Sequence, residues 1–333
     1  MKTLISYIVS LIIKIRFLLY KYHILKTNQF NIPIISIGNI IMGGTSKTPM
    51  VSWLINQCEN NGYKVCIITR GYKRNKKDMI IINGSLDNKP NYTSKDIGDE
   101  PKLLLNQHPK IHMVVGNNKV QSIQYAIKNF NVDIIIMDDG FQSLYINRDI
   151  DIVMTNADTP NSYFHIFPRG YARESYNNIN RADFVVINKS KLSADTIMQK
   201  IINNKMHKLY ANKNYKIKNP NNYLEFDEIK KEKLLAVCGI ANPSSFFDSL
   251  KQKRLNIKKK LVYRDHHQYS IKDIKYIYTN MKENNIKTII TTSKDYNKIC
   301  ELNFKNKKII LLDMFLQIND SLSLMSKIKK TIN

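Results

Sequence analysis

A lysine followed by a threonine closes a glycine-containing segment that comes directly after an apolar run. The segment reads GNIIMGGTSKTPM and spans residues 38–50. Backbone N–H groups in such a loop, together with the positive end of a following helix, can bind phosphate. In that arrangement Lys47 reaches the β- and γ-phosphates of a nucleotide, and the Thr48 hydroxyl can bind Mg²⁺. The segment therefore predicts a phosphate-binding loop.

The same segment departs from the standard phosphate-loop pattern at two positions. That pattern is Gly, four residues, then Gly-Lys-Ser/Thr, and Ile41 and Ser46 stand where the two glycines belong. Ser46 must fit without the penalty that a side chain pays at positive φ. On the pattern alone, a glycine-rich turn of an α/β fold that contains Gly43 and Gly44 remains the alternative.

Two acidic residues end another apolar run, VDIIIMDDGFQ, at residues 132–142. A buried strand here would deliver Asp138 and Asp139 to its carboxyl end, where ligands bind in open α/β sheets. A carboxylate at that position can hold the Mg²⁺ of a nucleotide, directly or through water. By themselves the two acids could simply form a turn. Their combination with Lys47 and Thr48 favours a nucleotide site.

Two further segments contain residue types that catalyse proton transfer. In GDEPKLLL (98–105), Asp99 and the following proline suit the start of a helix, and this structural interpretation suffices without any function. In YRDHHQYS (263–270), His266 and His267 follow a predicted strand. Histidine can orient or activate a carboxylate or hydroxyl near neutral pH, although an isolated His pair is more often a loop feature.

The charge balance is strongly basic, with a formal net charge of +25, which attracts anions. Arg169 and Arg173 lie in a glycine-containing segment, FPRGYARES (167–175), that suits anion binding. The lysines are scattered and no nucleic-acid-binding motif is recognisable, so we expect no nucleic-acid partner. The four cysteines form no close pair, which fits a reducing cytosol and argues against a disulfide framework or a zinc site.

Apolar, β-branched runs of strand length recur along the chain and alternate with segments of helical spacing. The predicted strands are 33–37, 65–69, 79–82, 113–115, 132–137, 150–154, 184–187, 234–238, 260–263, 288–292 and 309–312, and predicted helices include 49–60, 101–107 and 119–129. This alternation predicts an α/β fold with a mainly parallel sheet flanked by helices. The strands are continuously apolar, as expected when both faces are buried.

The sequence divides into four predicted segments. These are an apolar and basic helix at residues 1–30, a core domain at 31–204, a linker or β-ribbon at 205–232 and a smaller α/β domain at 233–333. In the first segment, the uncharged run 3–13 is too short to span a bilayer. Because basic residues adjoin this long apolar segment, we favour a helix that lies in a membrane interface over a core helix.

The ordered set of motifs resembles the tetraacyldisaccharide 4′-kinases, the lipid A kinases of Gram-negative bacteria. The resemblance runs through nearly the whole chain, and each motif is weak alone while the ordered set is specific. The motifs are PIISIGNIIMGGTSKTP (33–49), RGY (70–72), GDEP (98–101), DDGFQ (138–142), GYARE (170–174), RAD (181–183), CGIANPSSFF (238–247), RDHH (264–267) and TTSKD (291–295). Phosphate loops of this family typically lack the first glycine, so Ile41 follows the family.

The resemblance implies a phosphate-loop NTPase-like core, a smaller second α/β domain and catalysis in the cleft between them. It implies transfer of the γ-phosphate of ATP to the 4′-hydroxyl of an acylated disaccharide 1-phosphate lipid. It also implies a peripheral or monotopic enzyme on the cytoplasmic side of the inner membrane, attached through the N-terminal segment. The oligomeric state stays open.

The resemblance further implies roles for individual residues. Mg²⁺ would be held by Thr48 and by Asp138 or Asp139, a choice that stays open. Asp99 would accept the 4′-hydroxyl proton with support from His266. The residues expected to bind ATP are Gly43, Gly44, Thr45, Ser46, Lys47 and Thr48, and the expected catalytic residues are Asp99, His266, Lys47 and Arg173, the last stabilising the transferring phosphoryl group or binding substrate phosphate.

Three positions depart from the family pattern. Ser46 replaces the usual glycine, Ser143 stands where histidine normally follows Gln142, and Ser293 replaces the glutamate of TTEKD. The main rival interpretation is a membrane-associated phosphate-loop ATPase that acts as a switch without a lipid substrate. Such a protein would need neither Asp99 nor His266.

Overall fold

The computed structural model describes residues 1–86, 91–188, 196–203, 207–220, 222–302, 304 and 308–332. In this part of the chain thirteen strands form one sheet. In chain order, strands β1 to β13 are Ile34–Gly38, Val65–Thr69, Ile80–Ile82, His112–Val115, Ile134–Asp138, Ile150–Asn156, Phe184–Asn188, His207–Lys218, Tyr223–Leu224, Leu234–Cys238, Ile257–Val262, Thr288–Thr292 and Lys308–Asn319. Their order across the sheet is β11-β10-β12-β13-β8-β7-β6-β1-β5-β2-β4-β3, with β9 beside β8.

Helices precede or follow most strands. In chain order, helices α1 to α11 are Lys2–Lys21, Lys47–Asn60, Ser94–Ile97, Asp99–Gln107, Lys119–Asn129, Thr196–Asn203, Phe226–Ile229, Pro243–Gln252, Ile271–Glu283, Ser293–Cys300 and Leu322–Ile332. Polar side chains start several of them by accepting a backbone N–H of the first turn, which satisfies a donor that has no partner within the helix. These capping residues include Asn118, Asn242, Ser270 and Thr292.

The central strands are buried on both faces because helices cover the sheet on each side. In β1, Ile35 packs in one cluster with Leu54 of α2, whereas Ile34 packs in another cluster with Ile123 of α5. Successive residues of a strand point to opposite faces, so each face needs its own helix. The pairs β1–β5, β1–β6, β2–β5 and β6–β7 are all parallel. The predicted α/β fold with a mainly parallel sheet is confirmed.

Two long strands join the N-terminal and C-terminal halves of the sheet. Strand β8 pairs parallel with β7 and antiparallel with β13, whose register runs from Lys218 opposite Leu311 to Tyr210 opposite Asn319. Beyond β13 lie the parallel strands β12, β10 and β11. The predicted linker thus contains a strand that belongs to the common sheet. The domain boundaries stay a prediction.

Helix α1 is long and apolar enough to cross a membrane by length and composition alone. The helix has 20 residues and is longer than the uncharged run 3–13, because it continues through Lys14 and Arg16. One side contacts the rest of the protein, and Ser6 is its one fully buried residue. Large apolar side chains on the remaining surface are exposed, among them Leu4, Leu11 and Ile12.

Strand β1 lies between β5 and β6, and its carboxyl end adjoins the carboxyl end of β5. This is the position in parallel sheets where a crevice opens for ligands. Close packing there depends on Gly38. A Cβ atom on this residue would lie 2.5 Å from Cβ of Phe141 and 2.9 Å from its backbone N.

We therefore expect Gly38→Ala to push the turn that contains Phe141 away from β1. The steric conflict should lower the free energy of unfolding by about 1–3 kcal/mol, measured as a lower midpoint of urea denaturation by circular dichroism. Gly44→Ala is the matched control, since a Cβ there would have no neighbour within 4 Å. Equal midpoints for the two variants would contradict the close approach.

Candidate active site

The phosphate-loop segment connects β1 to α2 and contains two residues at positive φ. Gly43 has φ of 112°, which suits glycine. Ser46, which precedes α2, has φ of 64° and ψ of 34°, in the left-handed region. The expectation that Ser46 avoids the penalty of positive φ is therefore wrong. The serine side chain costs on the order of 1–2 kcal/mol that a glycine would not.

Asparagines from the carboxyl ends of three neighbouring strands fix this loop. The Asn39 side chain donates to the Thr45 hydroxyl at 2.9 Å, and the Asn188 side chain donates to the Thr45 carbonyl at 2.9 Å. The Asn156 side chain donates to the Gly44 carbonyl at 3.2 Å. The Thr45 hydroxyl is thus engaged within the protein. The exposed backbone around Gly44 is left for a ligand.

Asp139 brings together two of the predicted cationic residues. Arg173 Nη1 donates to both carboxylate oxygens of Asp139 at 2.8 Å, and Lys47 Nζ lies 3.5 Å from Oδ1. Burial alone would raise the pKa of Asp139. The charges of Lys47 and Arg173 outweigh burial, so the pKa is lowered overall. Gln142 also accepts from Arg173 at 3.2 Å. This cluster is anchored at the start of α2.

Asp138 is in a different environment from its neighbour, because it is the buried last residue of β5. Its Oδ2 accepts a hydrogen bond from the Thr69 hydroxyl at 3.2 Å. Burial, together with the adjacent Asp139 charge, raises the pKa of Asp138 to about 6, although Lys47 opposes the shift. The pKa values of the two neighbouring carboxyl groups are therefore shifted in opposite directions.

A buried lysine that the sequence analysis missed holds the turn after β5. Lys119 Nζ donates to the carbonyl oxygens of Asp138 at 3.2 Å and Asp139 at 2.6 Å, and to the Ser143 hydroxyl at 3.4 Å. Burial lowers the pKa of Lys119 to about 8, partly offset by the Asp139 and Asp138 charges. The sequence did contain a signal for Lys119. It begins the helix that follows β4, and the carboxyl end of β4 lies on the same edge of the sheet as that of β5.

Asp99 and His266 meet although they are 167 residues apart in the chain. His266 Nδ1 lies 3.0 Å from Asp99 Oδ2, and Lys298 Nζ donates to the same oxygen at 3.1 Å. Lys294 Nζ is 3.9 Å away. Asp99 is only 4% exposed. Burial raises its pKa, but the His266 hydrogen bond and the Lys298 and Lys294 charges outweigh burial and lower it overall.

A second layer of charges surrounds this pair. Lys294 Nζ donates to Glu100 Oε1 at 2.9 Å, and His266 Nε2 lies 3.8 Å from the same oxygen and 3.7 Å from Asp265 Oδ2. The Glu100 charge is also one of the causes that raise the pKa of Asp138. The Asp99 cluster and the phosphate-loop cluster are thus electrostatic neighbours.

Lys294 and Lys298 were absent from the predicted site. They are four residues apart on α10, which places them on one face of that helix. This spacing was a usable signal once TTSKD was recognised, because the helix starts immediately after Thr292. Ser293, one of the departures from the family pattern, donates instead to Asp313 on β13.

The oxygen ligands of the site fit a Mg²⁺ ion that arrives with a nucleotide. In the described residues no group of three or more His, Cys, Asp or Glu could hold a metal ion. Nucleotide sites bind Mg²⁺ through one or two protein oxygens, completed by phosphate oxygens and water. The Thr48 hydroxyl at the start of α2 and the carboxylates of Asp138 and Asp139, at and just after the end of β5, could supply such oxygens.

Known proteins with similar sequences cover almost all of this chain. The protein from Bdellovibrio bacteriovorus named tetraacyldisaccharide 4′-kinase is 30% identical over 95% of this chain and 94% of its own length. The protein of the same name from Halothermothrix orenii is 31% identical over 88% of this chain and 81% of its own length.

A solved structure has the same fold. The crystal structure of LpxK from Aquifex aeolicus, in complex with ATP, superimposes with a TM-score of 0.81 at 24% identity, covering 99% of this chain and 98% of that one. The family model described as tetraacyldisaccharide-1-P 4′-kinase matches residues 2–333. Together with the sequence relatives, this match shows that the chain belongs to the tetraacyldisaccharide-1-P 4′-kinase family.

Proposed function

We propose that this chain transfers the γ-phosphate of ATP to the 4′-hydroxyl of a tetraacylated disaccharide 1-phosphate. The observation that carries the proposal is the buried pair of Asp99 and His266, 3.0 Å apart, in a member of this kinase family. A kinase needs a group that accepts the proton of its acceptor hydroxyl. A phosphate-loop ATPase that acts as a switch would have no use for this pair.

Binding of ATP is assigned to residues 43–48. The exposed backbone of Gly43 and Gly44 and the start of α2 would face the phosphates, and Lys47 would neutralise phosphate charge. Thr48 and Asp138 or Asp139 would hold Mg²⁺, which, when bound, offsets the negative charge of the phosphate oxygens. Both acids are candidates because both lie where β5 ends, and the choice between them stays open.

Arg173 is assigned to the transferring phosphoryl group. Its guanidinium is held beside Lys47 by Asp139, so both cations are already positioned before a phosphate binds. Phosphoryl transfer gains most from charges that need no rearrangement when the transition state forms.

Asp99 is assigned as the proton acceptor and His266 as the residue that orients it. The lowered pKa keeps Asp99 ionised near neutral pH, so it can take the proton as the 4′-oxygen attacks the γ-phosphate. Lys298 and Lys294 stabilise this anion. A stabilised anion is also a weaker base. The two lysines therefore keep Asp99 fully ionised but lower its basicity.

Membrane association is assigned to α1, on the cytoplasmic face, where ATP is available. The helix exposes large apolar side chains and carries Lys14, Arg16 and Lys21 towards its carboxyl end. Its contacts with the rest of the protein, from Ser6 to Arg16, hold it along the protein surface. A helix held in this way suits an orientation along the membrane interface.

The transfer reaction can be tested with γ-labelled ATP, Mg²⁺ and the acylated disaccharide 1-phosphate in detergent. We expect label in the lipid fraction, and a loss of roughly 10²–10⁴-fold in transfer rate for Asp99→Ala and His266→Ala, the range for loss of general acid–base catalysis. Lys47→Ala should also reduce transfer severely, because a phosphate-binding charge is lost.

The matched control is His267→Ala. This neighbouring histidine lies 3.2 Å from Asp273, on α9, and takes no part in the Asp99 cluster. It should retain most of the wild-type rate. Label that appears only as free phosphate would favour the ATPase alternative, and near-normal transfer by the Asp99 variant would remove its assigned role.

The pH dependence of transfer should change when Lys298 is replaced by Met. The variant removes a cation that lowers the pKa of Asp99, so Asp99 should become protonated at a higher pH. The acidic limb of the kcat/KM profile should therefore move to higher pH. Lys251→Met, at an exposed position of α8, serves as the control. An acidic limb at the same pH in all three proteins would contradict Asp99 as the base.

Membrane binding can be tested with Leu11→Glu/Ile15→Glu in α1. Burial of such side chains is worth about 1.5–3 kcal/mol each, so their loss should weaken binding to anionic vesicles by more than about 100-fold. Ile271→Glu, at a similarly exposed site on α9, is the control. Unchanged co-sedimentation of the α1 variant would contradict the assignment.

A further inference from the structure

We propose that the loop of residues 161–173 is a second membrane-contacting surface. It would place aromatic side chains in the headgroup region of a bilayer that contains anionic lipid, next to α1. The inference rests on the membrane association proposed above for α1. The loop is separate from α1 in the sequence, and it ends at Arg173 of the candidate active site.

The loop exposes a group of large aromatic side chains. Phe167 is 55% exposed, Tyr171 is 50% exposed and Tyr163 is 39% exposed. The rings of Tyr163 and Tyr171 lie 4.5 Å apart, so the side chains form a group rather than isolated surface residues. Grouped exposed aromatic side chains mark interaction sites. Tyrosine, with an apolar ring and a polar hydroxyl, suits the boundary between headgroups and acyl chains.

This aromatic group is continuous with α1. The Ser6 hydroxyl, on the side of α1 that faces the protein, donates to the carbonyl of Ile166 at 2.6 Å. Phe167 is the next residue of the loop. The exposed apolar side chains Leu4 and Ile8 are each two residues from Ser6 along α1, so they lie within one turn of this contact. A flat surface that receives α1 along its length would also meet the loop.

The charge of both segments selects an anionic surface. Neither residues 1–30 nor residues 161–173 contain an Asp or Glu, in a chain that has 27 of them. Arg169 is exposed in the loop, and Lys14 and Arg16 are exposed on α1. Each basic side chain near an anionic membrane surface adds to the electrostatic attraction. A protein partner would need both acidic groups and an apolar surface that contacts two separate segments. An anionic lipid bilayer has both properties, so we favour the lipid surface.

Backbone hydrogen bonds join this loop to the phosphate loop, so a membrane contact of the loop would also position the active site. The N–H of Met42 donates to the carbonyl of Tyr171 at 2.8 Å, and the N–H of Arg173 donates to the carbonyl of Ile40 at 2.8 Å. Tyr171 is two residues from Arg173. A membrane that receives Tyr171 would therefore fix the height of the active site above the lipid headgroups, where the phosphate acceptor of a lipid substrate is found.

The position of the loop can be measured with a single tryptophan. Trp53, the one tryptophan of the chain, packs against the main core and is replaced by Phe, and Phe167→Trp then adds the reporter. The probe is vesicles of phosphatidylethanolamine and phosphatidylglycerol with brominated acyl chains. We expect a blue shift and quenching of the reporter. Tyr276→Trp, at a 56% exposed site on α9, is the matched control and should show neither change.

A third reporter, Leu11→Trp, separates the inference from the function on which it rests. Quenching at Leu11→Trp without quenching at Phe167→Trp overturns the loop contact and leaves the membrane role of α1 intact. Quenching at both positions supports the inference. If the protein does not bind the vesicles at all, both the loop contact and the proposed membrane association are wrong.

A second variant tests the loop without a new tryptophan. Phe167→Ser/Tyr171→Ser, in the otherwise unchanged chain, should lower the affinity for the same vesicles by at least about tenfold, since burial of even part of two aromatic rings exceeds the 1.4 kcal/mol that corresponds to this factor. Equal affinity would overturn the loop contact. Circular dichroism verifies that the variant is folded.

Discussion

The ion pairs of a single buried carboxylate link the two halves of this protein at the candidate site. Asp99, at the start of α4, is almost completely removed from water and has no cation of its own half among the partners that lower its pKa. Its partners are His266 and Lys298, from the loop after β11 and from α10. An unpaired buried charge would cost several kcal/mol, so Asp99 is stable at this buried position only with its partners from the other half in place. The contact between the two halves thus supplies the groups that keep the buried Asp99 ionised.

Much of this arrangement could be predicted because it is local. Strands such as Val65–Thr69 and Leu234–Cys238 are continuously apolar and β-branched, and they occur where the sequence predicts them. The carboxyl ends of parallel strands share one edge of the sheet, so Lys47 and Asp139 could be expected at the same edge, and they lie 3.5 Å apart. The pairing of Asp99 with His266 came only from the family resemblance. No local pattern joins two residues from opposite halves of the chain.

The remainder depends on contacts that no local pattern specifies. The antiparallel pairing of β8 with β13 joins residues more than 90 positions apart, and from the sequence the segment of β8 could equally have formed a separate ribbon. Lys119 and Lys298 carry no motif, yet each is buried against backbone or carboxylate oxygens at the site. Lysine is normally a surface residue, so composition gives no reason to place either of them inside. The left-handed conformation of Ser46 was also unexpected, because it is imposed by the loop around it.

The environments of the three acids differ in a way that suits successive tasks. The pKa of Asp99 is lowered by His266, Lys298 and Lys294, which all belong to the C-terminal half of the chain. Asp139 is paired with Lys47 and Arg173, the two cations that a phosphate would attract most strongly. Arriving phosphates would therefore compete with Asp139 for those cations. Asp138, whose pKa burial and the Asp139 charge raise to about 6, is the more easily protonated of the two acids. Lys47 and Arg173 are thus held by Asp139, so a bound phosphate would share these cations with the carboxylate or replace it as their partner.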